Sequence, residues 1–519
     1  MMTHLRRAIL FGYMLLVMSA DVQVARAGDG AARDRVLAAL PALERLARKA
    51  VDDGDVPGVS IAVVYRDEVV YLKGFGVREA GKPELVDADT VFQLASCSKP
   101  MASTVVAALV GDGKLSWDSR ISDIDPGFQL HDPYSTAEVT VADLFAHRSG
   151  LPGAAGGELE EIGYGRSELL RRLRFVPPSS SFRAGYSYSN SGLTEGAVAA
   201  ARAATTTWED AAEQRLFRPL GMISTSARYR DFTARVNRAA LHIHSDGRWA
   251  ATQQHDADPE SPAGGISSSA RDMAQWVRLQ LGDGLLGGRR IVDAAALART
   301  HEPVIARGVN PASGLPSFYG LGWGIQYGPH GAVWGHSGAF SQGAQTVVTL
   351  IPSDELGIVV LANSFPSGLP DALAEVFVAL ANGEHPVAAE RITLWTGLYS
   401  SLFEPATKAS QATYGKAAAS PTAALPMSAY IGTYANSYLG TARVVNADGV
   451  MRLKLGPNGA TDRPLTHHDR DLFTMVLSPE LPDLRSAVTF HIGADGNAAS
   501  VTIEALDGVG LGTLTRTKR

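Results

Sequence analysis

Disulfides within the chain are excluded, because Cys97 is the only cysteine in 519 residues. A fold without that staple has to rest on its core. Charge is also sparse. Asp, Glu, Lys and Arg make up 19% of the chain and the formal net charge is -6. There is no long basic run, so nucleic acid is excluded as a partner, since phosphate binding needs clustered Lys and Arg. No apolar stretch reaches the ~20 residues that span a bilayer. What remains is 45% hydrophobic, enough to build a core in a chain long enough for two or three domains.

The one apolar run of note, Ala8 to Met18, follows Arg6 and Arg7 and precedes Ala25-Arg26-Ala27. It is too short for an anchor and has the form of a secretory signal over 1–27, cleaved after Ala27. The mature protein is expected to be exported across the inner membrane, to the periplasm, with no stable membrane span.

Residues 34–53 carry Val36, Leu40, Leu43 and Ala47 at helical spacing, with Pro41 marking a kink or a restart. Val59–Val64 and Val69–Phe75 read as strands joined by a turn at Arg66-Asp67-Glu68. Helical segments dominate from Ser98 to Leu281. Strands return at Ala332–Trp334, Ala344–Ile351 and Gly357–Ala362. This order predicts an α+β fold: an antiparallel sheet flanked by helices, a helical lobe, and a cleft between them. The first domain is set at 28–385. Residues 386–426 contain an Ala-, Ser-, Thr- and Pro-rich stretch from Ala406 to Pro426 and read as a linker. Short alternating runs over 427–519 predict a small all-β barrel that folds by itself and is dispensable for chemistry.

Three local patterns carry chemistry. In Ser96-Cys97-Ser98-Lys99 the lysine lies one helical turn after the serine, on the same face, where it can take the hydroxyl proton. That requires a lysine neutral part of the time, as in a buried, cation-rich site. A helix opening at Ser96 would aim its N–H at an oxyanion. Cys97 is the rival nucleophile and reads as a packing residue. In Tyr188-Ser189-Asn190, the phenol can serve as general base and Asn190 can bind a substrate carbonyl or hold the lysine. In Trp334-Gly335-His336-Ser337-Gly338-Ala339, the glycines admit a substrate backbone, His336 can exchange a proton near Ser96, and the N–H of Ala339 is the second oxyanion donor. Ser337 and Gly338 complete the substrate-binding edge. His242, His244, His255, Asp256 and Asp258 are the one rival constellation. Their spacing closes no four-ligand site, and no metal or cofactor is expected.

Serine-lysine first, tyrosine in the helical insert, and a glycine-rich strand last is the signature order of β-lactamases and penicillin-binding proteins. With Leu144–Pro152, Leu216–Met222, Ala263–Asp272 and Tyr319–Trp323 added, residues 32–382 resemble the class C β-lactamase-like serine hydrolases. This is a family of the penicillin-recognising, peptidase S12-like kind. The tail, with Tyr430–Tyr434 and Tyr438-Leu439-Gly440, resembles the lipocalin-like barrel that follows many of them. The resemblance implies acyl transfer through Ser96, aided by Lys99, Tyr188 and His336. The expected substrate is a small or D-residue-containing peptide, with esters or β-lactams as alternatives and non-catalytic peptidoglycan binding as the rival. True class C β-lactamases carry lysine where this chain has His336, which implies weak antibiotic hydrolysis.

Overall fold

The computed structural model describes residues 32–517, apart from 246, 417, 419 and 479–483. The expected signal segment, 1–27, lies outside the described residues. Helix α1 occupies residues 32–52 and runs unbroken through Pro41. It buries Val36, Ala39, Leu43, Ala47 and Ala50 along one stripe.

Eight antiparallel strands form the central sheet. They are β1 (Gly58–Tyr65), β2 (Glu68–Gly76), β3 (Ile305–Val309), β4 (Pro316–Tyr319), β5 (Gly324–Gly328), β6 (Gly331–Phe340), β7 (Ala344–Ile351) and β8 (Leu356–Ala362). Their order across the sheet is β2-β1-β8-β7-β6-β5-β4-β3. Every residue of β1 is buried, because both faces are covered. Val59, Ile61 and Val63 pack with α1, while Ala62 and Val64 join the core toward the helical lobe. Continuous burial explains why β1 reads as an unbroken apolar run rather than an alternating one.

The strands expected at both ends of the hydrolase region are present, with small shifts of boundary. The glycine-rich strand is longer than the expected Ala332–Trp334: pairing continues through His336, Ser337, Gly338 and Ala339 to Phe340. Strands β3, β4 and β5 were not anticipated. β3 is mostly exposed and contains Gly308, and β5 is five residues bounded by glycines, so neither carries a strong strand pattern. The lobe between contains α2 (Ser98–Gly111), α3 (Gly157–Glu161), α4 (Asn190–Ala203) and α5 (Ala270–Leu281). Helix α6 (Leu369–Ala381) covers the α1 face of the sheet.

The expected linker needs correcting. Most of residues 386–426 belong to a 27-residue helix, α7 (Ala388–Tyr414), with Pro405 inside it. The composition misleads because alanine is also the best helix former. Packing holds the helix at both ends. Trp395 Nε1 donates to Glu375 of α6 at 2.7 Å and Tyr399 Oη to Asp371 at 3.0 Å. Ser410 Oγ donates to the Arg485 carbonyl, and the Arg485 N–H donates back to it, both at 2.8 Å.

Beyond it a nine-stranded antiparallel sheet curls into a nearly closed barrel. Its two edge strands, Thr461–Pro464 and Thr466–Asp469, are consecutive in the chain. The barrel does not hang on a tether. Tyr438 Oη accepts from the Gly156 N–H and donates to Glu158, both at 2.9 Å. Arg172 donates to the carbonyls of Ser437 and Tyr438 at 2.9 and 2.7 Å. Leu159, Ile162 and Tyr164 of the lobe share one hydrophobic core with Tyr438 and Leu439. No helix among the described residues is long and apolar enough to cross a membrane.

Removing the chain from residue 388 onward uncovers that shared core and strips Glu158 of its donor. The truncated protein is expected to aggregate or to melt about 10 °C or more below the intact one, each lost kcal/mol being worth roughly 2–4 °C in a large domain. A calorimetric midpoint equal to that of the intact chain would show the barrel to be a mere appendage.

Candidate active site

Ser96 sits in a tight turn, Ala95–Cys97, between a two-residue strand and α2. The turn is forced: Ala95 has φ 47°, a left-handed conformation costly for a residue with a Cβ. Two contacts hold it. Thr346 Oγ1 of β7 donates to the Leu94 carbonyl at 2.6 Å. Strand β6 lies against it at Gly338, where a Cβ would come within 2.3 Å of the Leu94 oxygen and 2.8 Å of the Ser96 nitrogen. Only glycine permits that approach. It brings the Ser96 turn and the strand carrying Ala339 together, as the expected pair of oxyanion donors requires.

Lys99, in the first turn of α2, is fully buried. Its Nζ donates to Ser96 Oγ and to the Ala263 carbonyl, each at 2.9 Å. It lies 4.5 Å from the Tyr188 ring centre. Burial pulls the amine down to about 7. The surroundings are not the cation-rich ones expected from sequence. Glu260 and Glu160 are nearby and act in the opposite direction, so desolvation alone makes the amine a base.

The Tyr188 phenol lies close enough to the Ser96 hydroxyl to feel it. Its placement is local and rigid. The N–H groups on either side of it, of Ser187 and Ser189, donate to the carbonyl and to Nδ1 of His147 at 2.9 and 3.0 Å. Ser189 Oγ then caps α4 by accepting from Gly192 N–H at 3.1 Å. The approach to this loop is clamped by buried Asp143, which pairs with Arg148 and Arg183 at 2.7 Å each. Burial raises the Tyr188 phenol far above its ordinary range. It is therefore held as a hydroxyl, a state suited to donating a proton rather than to the general-base role considered from sequence.

His336 is half-buried and neutral, its imidazolium pushed down to about 3 by desolvation. Nδ1 donates to the Ser337 carbonyl at 2.7 Å, so Nε2 accepts from the Tyr319 hydroxyl at 2.9 Å. The ring centres of His336 and Tyr188 are 6.2 Å apart. His336 thus orders Tyr319 beside Tyr188 and does not bond Ser96. Ser337 faces the other side of the sheet. Its hydroxyl donates to buried Asp371 of α6, which corrects its expected role on the substrate-binding edge. Cys97 is also set aside: its Sγ donates to the His336 carbonyl at 3.2 Å, and burial pushes the thiol up to about 12.

A cleft of about 280 Å³ opens from Ser96, lined by Asn190, Ala339 and Phe340, and by Glu160 and Glu260. Asn190 lies beside Glu260 in this lining and makes no hydrogen bond to Lys99. Neither carboxyl stands in a motif legible from sequence. The sequence did single out the segments holding His147, Ala263 and Tyr319, but without roles. His242, on the strand Leu241–Ser245, has both ring nitrogens engaged, by the Ala80 N–H at 2.9 Å and the Asn363 carbonyl at 2.7 Å. His255 packs on Phe340 with ring centres 4.3 Å apart. Both histidines thus have protein partners.

Residues 43–383 match the Beta-lactamase family and residues 416–511 a domain of unknown function, DUF3471. An unguisins hydrolase of Aspergillus campestris is 28% identical over 412 residues, 75% of this chain and 74% of that protein. Penicillin-binding protein 4 of Amycolatopsis lactamdurans is 28% identical over 59% of this chain and 81% of its own. Esterase EstB of Burkholderia gladioli is 33% identical over 31% of this chain and 45% of its own. The octameric penicillin-binding protein homologue from Pyrococcus abyssi superposes with a TM-score of 0.57 at 19% identity, over 90% of this chain and 98% of that one. Fold, motif order and these matches agree: the chain belongs to the Beta-lactamase family and is a serine hydrolase.

Proposed function

We propose that this hydrolase cleaves amide bonds of small peptides, D-residue-containing ones included, through an acyl-enzyme on Ser96. The observation that carries the reading is the buried Lys99 amine, 2.9 Å from Ser96 Oγ. Neutral Lys99 takes the hydroxyl proton as Oγ attacks the carbonyl carbon. The N–H groups of Ser96 and Ala339 receive the developing oxyanion. Tyr188 gives its proton to the leaving nitrogen and regains one from Lys99. Water then repeats the sequence in reverse and frees the acyl group. No step needs a metal or cofactor.

Esters fit the same route with an easier leaving group. β-Lactams rank below both, since His336 stands where class C β-lactamases carry lysine. A mute peptidoglycan-binding protein is disfavoured because Lys99 is buried at a real energetic cost, which only the chemistry at Ser96 rewards. Export to the periplasm is part of the proposal and is supported by Arg6, Arg7, the apolar run and Ala25-Arg26-Ala27.

Ser96→Ala is expected to lower kcat/KM on an aminoacyl p-nitroanilide by about 10³-fold or more, whereas Cys97→Ser retains most of it. Turnover by the first variant and silence of the second would move the nucleophile to Cys97. The pH profile gives an independent check. A base pulled down to about 7 by burial is protonated, and idle, below that pH. Thus kcat/KM should rise through a single limb centred near 7 and level off above it. His336 is already neutral across this range, so His336→Asn should leave the midpoint of the limb in place. A midpoint that moves by a full pH unit in that variant would assign the limb to His336.

A further inference from the structure

The two carboxyls of the cleft are not needed by the chemistry just described, and they are costly to keep. Glu260 is buried, in the turn Asp258–Glu260. It accepts from Ser191 Oγ, and Asn190 and Glu160 lie beside it in the lining of the cleft. Two adjacent carboxyls with little water around them favour a state with one proton and one negative charge between them. Burial raises both above the ordinary carboxyl range, and Asp256 and Glu161 add to this at Glu160. Glu160 is only partly buried and forms the wall of the cavity that contains Ser96.

The cleft has two sides. Tyr188, the proton donor to the leaving group, approaches Ser96 from the side of Tyr186, Tyr319 and Arg307. The Arg307 guanidinium lies 5.4 and 5.5 Å from the Tyr186 and Tyr319 ring centres. None of these four residues lines the cavity, whose walls beyond Ser96 include Asn190, His255 and the carboxyl pair. The leaving group belongs on the first side and the retained acyl group on the second. A volume of about 280 Å³ is small for a binding pocket and suits a single residue.

We propose that Glu160 and Glu260 bind the free ammonium of the substrate's acyl residue, so that unblocked aminoacyl compounds are the preferred substrates, and that the barrel holds Glu160 in place. The proposal rests on the hydrolase reading above and narrows it. An ammonium entering the pair displaces the shared proton and donates to both carboxylates. The barrel's part is a positioning one. Glu160 lies on α3 between Glu158, which accepts from Tyr438 at 2.9 Å, and Glu161, which accepts from Ser478 at 2.7 Å. Both neighbours of the cleft residue are thus fixed by the C-terminal domain.

The full-length protein is assayed on D-alanyl p-nitroanilide and its N-acetyl counterpart, and on the matching pair of methyl esters. The free-amine member should lead in each pair. In Glu160→Gln the free-to-blocked ratio of kcat/KM should fall about tenfold, chiefly through KM, the size of effect expected for losing one charge-assisted hydrogen bond. Glu160→Asp should restore part of it. Tyr438→Phe should lower the ratio in the same direction. Glu260→Gln gives a second variant should Glu160→Gln not fold. Pairs turned over with no preference for the free amine, or a preference untouched by both glutamine variants, would overturn this proposal and leave the hydrolase reading standing. Release of product from neither pair would overturn both.

Discussion

Everything at the site depends on a primary amine kept out of water. Lys99 has no exposed surface, and its two fixed hydrogen bonds go to one hydroxyl and one carbonyl. Neither partner is charged, so nothing holds the proton on the amine strongly enough to offset desolvation. The rest of the site follows from that choice. The hydroxyl it faces is Ser96, the carbonyl it faces is Ala263, and the ring beside it is Tyr188. Each belongs to a different loop of the lobe, and each loop is anchored by bonds that the lysine does not make. His147 pins Tyr188, Ser98 Oγ accepts from the Ile266 N–H at 3.0 Å, and Gly338 seats the serine turn against the sheet.

Much of this was legible in the sequence because it is local. Ser96 and Lys99 are one turn apart, Tyr188 and Asn190 flank a helix cap, and β1, β7 and β8 are apolar runs of strand length. The barrel strands alternate and are spaced by turns. What stayed hidden depends on contacts between distant segments. Ser337 looked like an edge residue, but strand alternation turns its hydroxyl to Asp371, 34 positions on. His336 looked like a proton carrier, but burial and Tyr319 keep it neutral. Glu160 and Glu260 are 100 positions apart in sequence, and no spacing rule links them. Helix α7 was missed for a different reason. Alanine-rich composition suits both a linker and a helix, and the choice is made by Glu375 and Asp371 at one end and Arg485 at the other.

The central sheet shows why such a site can be built at all. Helices cover both of its faces, so β6 and β7 are held from behind while β6 presents its Gly338 backbone to the serine turn. A close approach between two backbones, with no side chain to adjust the gap, needs rigid parts on both sides. Asp371 contributes to that rigidity by gathering Ser337, Gln345 and Tyr399 at one buried carboxyl, pushed up to about 6 by its burial.

The docking of Tyr438 and Ser478 onto α3 has a consequence for the order in which the molecule takes shape. These contacts join residues 280 and 317 positions apart. A growing or translocating chain emerges from its N-terminal end, so the lobe is present long before the segment that steadies α3. Contacts of such high sequence separation form late and slowly. Until the last hundred residues arrive, the wall of the cleft bearing Glu160 has no support from behind. The nascent protein therefore assembles the Ser96–Lys99 pair early but completes the cleft wall last. A chain that terminates prematurely within the barrel would leave Ser96 and Lys99 beside an unfinished cleft wall.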